Sequence, residues 1–209
     1  MYLDYSATTP SDRRVVSYFK KVNKKFYANP NSLHTPGSNA NKFVLKCQEN
    51  ILSYLDLKEK DVIFTSGASE ANNLAIKGLA LKHDKQGKKI ITTNFEHPSV
   101  TAPISWLQKQ GYEVEIVKCD SHGRVDLKDL KSKLDENVLL VSIGAVNSEI
   151  GILQPIDEIK KILKKYPEIY FHCDVTQCIG KINFDFSEPD LISFSAHKFY
   201  GINGVGALI

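Results

Sequence analysis

The chain has 209 residues, 42% of them apolar and 24% charged, the composition of a globular protein long enough to bury a substantial core. Its 27 Lys and Arg against 24 Asp and Glu leave a net charge of +3, too balanced to point to nucleic acid or an anionic membrane. No apolar run approaches spanning length and no basic, Ser-rich leader precedes the first element, so a cytoplasmic protein without membrane segments is expected.

After "YLDYSATTP", the apolar spacing of Val15, Val16, Phe19 and Val22 predicts a helix from Asp12 to Phe26. The lysines of "FKKVNKKF", like those of "IKKILKKY" further on, fall on its solvated face. The Pro/Asn/Gly-rich loop "YANPNSLHTPG" leads into a long helix from about Ser38 to Leu55. "DVIFTS" reads as a short buried strand ending at Gly67, and "SEANNLAIKGLALKH" as the helix after it. "KKIITTN" and "YEVEIVKC" are strands on either side of the helix "HPSVTAPISWLQKQ". "DLKDLKSKL" is helical, "NVLLVSIG" a strongly apolar strand, and "PIDEIKKILKKY" a helix with proline in its first turn. The strands "IYFHCD", "DLISFS" and "VGALI" close the chain. β-branched strands spaced by helices predict one α/β domain over 1–209, a mostly parallel sheet with helices on both faces.

Cys47, Cys119, Cys173 and Cys178 contain no CxxC pair, so reduced thiols are expected. A zinc site on His172, Cys173 and Cys178 is disfavoured by the spacing and by the lack of a second ligand pair, and no metal is expected.

In open α/β sheets ligands gather beyond the carboxyl ends of the strands, where the unusual polar residues of this chain fall. At "FTSGASEANN" a strand meets Gly67 and a helix begins, so the N–H groups of Ala68 and Ser69 suit an anion. A plain capped helix start fits the same residues. Asp174, at the end of "HCDVTQ", is suited to capping the next element or to meeting a cationic ring nitrogen. Lys198, in "SFSAHK", is a surface charge or a nucleophilic amine. His97, in "FEHPSV", begins a helix before Pro98 or stacks on a ring. A glycine turn for phosphate, an acid for a protonated pyridine and a lysine for a Schiff base are together the parts that hold pyridoxal phosphate.

Seven stretches carry a resemblance: "YLDYSATTP", "NPNSLHTPG", "FTSGASEANNLAIKG", "EHPSV", "VNSEIGILQPI", "HCDVTQCIGKI" and "DLISFSAHKFYGINGVGAL". In order and spacing the chain resembles the cysteine desulfurases of the class V aminotransferase group, which are fold-type I pyridoxal-phosphate enzymes. The resemblance implies that Lys198 forms the Schiff base and moves the substrate's α-proton. It implies that Asp174 partners the pyridinium nitrogen and that Gln177 meets the phenolic oxygen. Ala68, Ser69, Ser195 and His197 match the phosphate cradle, with serine at 69 where the family commonly has threonine. His97 matches the ring-stacking histidine, an acid/base as well, and Asn147 the asparagine near the substrate carboxylate and phenolic oxygen. The implied substrate is L-cysteine, which leaves as alanine after an enzyme thiolate takes its sulfur. A homo-oligomer and a sulfur-acceptor or scaffold protein are the implied partners.

The family's nucleophilic cysteine, its carboxylate-binding arginine, a phosphate contact from the second subunit and a small C-terminal domain have no counterpart here. The expected fold is therefore an incomplete large cofactor-binding domain, inactive alone. Its four cysteines are expected to be packing residues, with Cys47 in a helix core. One half of a split enzyme and a non-catalytic cofactor-binding or interaction module are the other readings. Selenocysteine lyase, cysteine sulfinate desulfinase and other class V aminotransferases are the enzymatic competitors. An apolar surface left by "VGALI" would favour association.

Overall fold

The computed structural model describes residues 1–83 and 87–209. Six helices and seven strands follow in chain order among these residues: α1 Arg13–Lys25, α2 Thr35–Tyr54, β1 Ile63–Thr65, α3 Ala68–Lys82, β2 Lys89–Thr93, α4 Pro98–Lys109, β3 Glu113–Val117, α5 Leu127–Lys133, β4 Val138–Ser142, α6 Ile156–Leu163, β5 Tyr170–Asp174, β6 Leu191–Ser195 and β7 Gly206–Leu208. The strands form one sheet in the order β1-β7-β6-β5-β4-β2-β3. Pairings from β3 through β6 are parallel, and β7 runs antiparallel to both of its neighbours.

Neighbouring residues of the central strands feed opposite layers, as the pleat requires. Ile90 and Leu140 pack with Ile76 of α3 and Val100, Ile104 and Leu107 of α4. Ile91 and Val141 pack with Leu130 of α5 and Ile156, Ile159 and Leu163 of α6. Strands covered on both faces read as continuous apolar runs, and β2 and β4 are buried along their whole length.

The helix starts have local causes. Asp12 caps α1, its carboxylate accepting the Arg14 N–H at 2.7 Å. α2 begins at Thr35, earlier than the predicted Ser38, because His34 caps it: its Nδ1 accepts the Gly37 N–H at 3.1 Å. Pro155 is the cap residue immediately before α6 rather than a member of its first turn.

Two expectations about the sheet are overturned. β1 is not buried: it is an edge strand, with Ile63 and Phe64 exposed. "VGALI" is not the exposed margin, because β1 folds back along β7 and encloses it against β6, leaving Ala207, Leu208 and Ile209 buried. The most exposed large apolar groups include Leu3, Tyr27 and Leu33 near the amino-terminal end, and others, such as Leu81 and Ile150, are scattered along the chain.

β1 and β6 point the same way, so Thr65 and Ser195, each paired to Gly206, end side by side. This brings the start of α3 to the lysine-bearing turn. Gly206 makes the approach possible: a Cβ there would sit 2.5 Å from the Phe194 carbonyl oxygen and 2.6 Å from the Gly67 Cα. Both obstacles are backbone. Gly206→Ala is expected to destabilise the chain by about 1–3 kcal/mol in urea denaturation. An unchanged midpoint would contradict this packing.

Candidate active site

A cleft of about 220 Å³ opens beyond the carboxyl ends of β2, β4, β5 and β6 and the start of α3. Its walls include every residue singled out from the sequence: Ala68, Ser69, His97, Asn147, Asp174, Gln177, Ser195, His197 and Lys198.

At one end, α3 begins directly after Gly67. This glycine has an extended φ of 160°, so close packing, not a left-handed turn, governs the position. A side chain there would bring its Cβ 3.1 Å from Ser195 Oγ. The Ala68 N–H donates to that Ser195 oxygen at 2.6 Å, joining the helix start to the end of β6. Glu70 reaches back to accept from the Ser66 N–H at 2.7 Å and its hydroxyl at 2.6 Å. Glu70 thus ties the residue before the Gly67 cap to the first turn, and the exposed Ser69 stands at the cleft wall. With the Ala68 N–H given to Ser195, the Ser69 end of the turn and the positive end of the helix dipole favour an anion there.

Asp174, at the end of β5, performs the capping role that its position allowed. Oδ1 caps the following turn by accepting the Thr176 N–H at 2.9 Å. Oδ2 accepts from the Asn72 amide at 2.8 Å. Opposite, His97 caps α4, its Nδ1 accepting the Ser99 N–H at 3.1 Å and lying 2.7 Å from the Ser99 hydroxyl. An Nδ1 that accepts carries no hydrogen, so the ring proton resides on Nε2. Asn147, after β4, donates to the Phe95 carbonyl at 2.8 Å and accepts the Glu149 and Ile150 N–H groups at 2.9 Å each. That lashes its loop to the His97 turn.

Lys198 ends a single 3-10 turn, Ala196–Lys198, after β6. Its Nζ donates to the Ser6 carbonyl at 2.6 Å, and the Gln177 amide donates to the same oxygen at 2.9 Å. The Gln177 carbonyl oxygen accepts from Lys181 at 2.8 Å. Burial lowers the Lys198 pKa, while the charges of Asp174 and Asp4 pull it back up. The net direction enlarges the share of uncharged amine, the nucleophilic form. Thr8 lies 3.0 Å from His197 Nδ1. Thr9 binds the His197 carbonyl through its hydroxyl at 2.8 Å and accepts the Tyr200 N–H at 2.7 Å. Tyr200 stands in the left-handed region at φ 66°, a strained state fixed two residues after the lysine. The segment 6–9, to which sequence reasoning gave no site residue, therefore holds the lysine turn in place.

Glu96 was also missed. Its carboxylate accepts the Gly144 N–H at 3.0 Å and the Thr93 hydroxyl at 2.9 Å, tying the ends of β2 and β4 together. Burial pushes its pKa from 4.5 up to about 7, against those hydrogen bonds and with the repulsion of Asp174. Between these two values the folded chain keeps a proton that the unfolded chain has released, so stability falls as pH rises through the window. Buried His172 behaves oppositely. Burial, opposed by Asp174, depresses it from 6.5 to about 4, and stability is lost as pH falls through that range. Glu96→Gln is expected to remove up to about 3 kcal/mol of the wild-type loss between pH 5 and 8. Urea denaturation of both proteins across that range checks this. Parallel profiles would contradict it.

The family model of class-V aminotransferases matches residues 1–209. The chain belongs to that family. It is similar over 100% of its length to the cysteine desulfurase IscS of Dictyoglomus turgidum, 44% identical over 210 residues and covering 53% of that protein. The mitochondrial cysteine desulfurase of Saccharomyces cerevisiae is 42% identical over 211 residues, which are 100% of this chain and 42% of that protein. Among solved structures, a NifS-like protein superposes with a TM-score of 0.94 at 39% identity, covering 100% of this chain and 58% of the other. A structure described as SspA in complex with cysteine gives a TM-score of 0.92 at 33% identity, covering 99% and 60%. The chain spans about half the length of the curated relatives it matches.

Cys173 and Cys178 are fully buried, and Cys47 and Cys119 are half-buried, so Cys47 is not the core residue that was expected. Burial raises the pKa of all four, that of Cys178 to about 12. None is a ready thiolate at neutral pH. His172 and Cys173, adjacent on β5, project to opposite faces of the sheet, and the histidine ring lies between Ser142 and Ser193, within 2.9 Å and 3.1 Å.

Proposed function

We propose that this chain is the cofactor-binding part of a pyridoxal-phosphate-dependent cysteine desulfurase that converts L-cysteine to L-alanine and delivers the sulfur to a thiolate. One observation carries the reading: an anion-suited helix start, a hydrogen-bonded carboxylate and a half-buried lysine face one cleft. That donor set fits pyridoxal phosphate. Ala68, Ser69, Ser195 and His197 would hold the phosphate, and Asp174 the ring nitrogen. Gln177 and Asn147 would meet the phenolic oxygen, His97 would cover the ring, and Lys198 would hold the aldehyde carbon. When bound, the cofactor supplies an electron sink for the charge left when the substrate's α-proton departs.

The chain's own residues divide the remaining work. Lys198, its amine favoured by burial, attaches the cofactor and takes the α-proton. Asp174, fixed by its two N–H donors, would face the cationic ring. His97, with its proton on Nε2, is a donor that can protonate the product side. In sulfur transfer an attacking thiolate would form an S–S bond to the substrate sulfur while the Cβ–S bond breaks, its electron pair staying on Cβ, which takes a proton to become the methyl group of alanine, and the thiolate becomes a persulfide. The raised pKa values of Cys47, Cys119, Cys173 and Cys178 argue that this thiolate is none of them. The same observation favours a second reading, a cofactor-binding part whose sulfur chemistry requires another polypeptide. A homo-oligomer, a sulfur-accepting protein and a cytoplasmic setting belong to the proposal. Among the described residues no helix is long and apolar enough to cross a membrane.

The test is to purify the chain with pyridoxal phosphate and desalt it, then add L-cysteine and a small-molecule thiol. Retained visible absorbance and L-alanine release by mass spectrometry, absent with D-cysteine, are expected for the enzyme. Retained absorbance without alanine selects the cofactor-binding part alone. A folded chain that retains no absorbance would refute both.

A further inference from the structure

Asn72 lies in the middle of α3, fully buried, and none of the proposed roles uses it. Its amide nitrogen donates one hydrogen to Asp174 Oδ2 at 2.8 Å and the other to Ser99 Oγ at 2.9 Å. Its carbonyl oxygen accepts from the Ser193 hydroxyl. One side chain thus ties α3 to α4, β5 and β6 directly beneath the cleft.

The donor inventory gives every hydrogen in this network a direction. Asp174 accepts, so the Asn72 nitrogen must face it and the Asn72 oxygen must face Ser193. The Ser193 hydrogen is then committed to Asn72, so the Ser193 oxygen accepts from His172 Nε2 at 3.1 Å. His172 Nδ1 is left to accept the Ser142 hydroxyl at 2.9 Å. On the other arm, the Ser99 oxygen receives Asn72 and its hydrogen goes to His97 Nδ1 at 2.7 Å. Both histidines therefore carry their proton on Nε2. Hydrogen-bond chains of one direction polarise and rigidify their members, and a buried amide in such a chain has no alternative orientation.

We infer that Asn72 is a positioning residue that orders both sides of the cofactor site at once: it holds the Asp174 carboxylate and, through the Ser99 hydroxyl, braces the His97 ring, whose tautomer the Ser99 N–H already sets. The inference deepens the proposed function and rests on it. A residue serving packing alone would leave the Ser193 hydroxyl free to turn, whereas Asn72 sets its direction and with it the His172 tautomer.

The test combines histidine ¹⁵N NMR on the 209-residue chain with the dissociation constant for pyridoxal phosphate. In the wild type, His97 and His172 are both expected to give the Nε2–H pattern. Asn72→Leu removes the acceptor of Ser193, whose hydroxyl then turns to His172 Nε2 and moves that ring's proton to Nδ1. The dissociation constant is expected to rise at least about tenfold, the scale of one hydrogen bond to a charged group. Ser99→Ala cuts only the His97 arm. It is expected to shift the His97 signals, leave His172 unchanged and keep the constant within about threefold. Nδ1–H on either histidine of the wild type overturns the wiring, and that measurement does not depend on the variants folding. Cofactor binding by Asn72→Leu equal to the wild type overturns the positioning role alone. A wild type that takes up no pyridoxal phosphate removes the functional reading and the positioning role with it.

Discussion

Lys198→Ala is expected to lose covalent pyridoxal phosphate completely, and any alanine release that the loaded chain shows with an added thiol should fall by at least about a thousandfold, the scale on which removal of a nucleophile or proton-transfer group acts. The fold should survive. Lys198 is half-buried, and its hydrogen bond is to one backbone carbonyl, that of Ser6. Gln177 also donates to that oxygen, so the truncation leaves no orphaned acceptor. Lys198→Arg separates charge from chemistry. Arginine keeps a cation and a donor for Ser6 but has no amine that can attack an aldehyde at neutral pH. It should therefore be as inactive as alanine. Substantial turnover with arginine would reduce Lys198 to an electrostatic role.

Asp174→Asn carries the second large effect. The replacement matches in volume and can still accept the Thr176 N–H on its oxygen. Its amide nitrogen then points at Asn72, donor against donor, where the native oxygen accepts at 2.8 Å. Rotating the new amide only moves the clash to Thr176. One buried donor goes unsatisfied in either orientation, which costs about 1–3 kcal/mol of stability. The charge that would face the ring nitrogen is lost as well. Turnover should fall about 10²–10³-fold, as when a preorganised electrostatic group is removed from an active site. Denaturant titration reads the first effect and steady-state assays the second. A variant with native turnover would show that Asp174 only caps its turn.

The layered sheet was legible because strands covered on both faces carry short runs of β-branched and apolar residues, as in "KIITT" and "VLLVS", and β2 and β4 are buried along their whole length. What failed depended on pairing. Nothing local in "DVIFTS" says that it lies at an edge, and nothing in "VGALI" says that β1 will cover it, because the pairing joins residues more than 140 positions apart. The strand-end residues of the site were readable since the end of each strand is fixed by the strand itself. Ser6, Thr8 and Thr9 escaped because they act through hydrogen bonds to residues more than 170 positions away. Asn72 did leave a signal. It shares a helix face with Ala68, Ala75 and Ile76, and an amide on an otherwise apolar buried face needs buried partners. Glu96 left none, since its raised pKa is a product of the enclosure completed by β4.

The measurement closest to the central claim is chemical. The chain, loaded with pyridoxal phosphate, is reduced with borohydride, digested and mapped by mass spectrometry. A single pyridoxyl-phosphate adduct on the peptide containing Lys198, lost in Lys198→Ala, is the predicted result. An adduct spread over surface lysines, or centred on Lys181 beside Gln177, would contradict it.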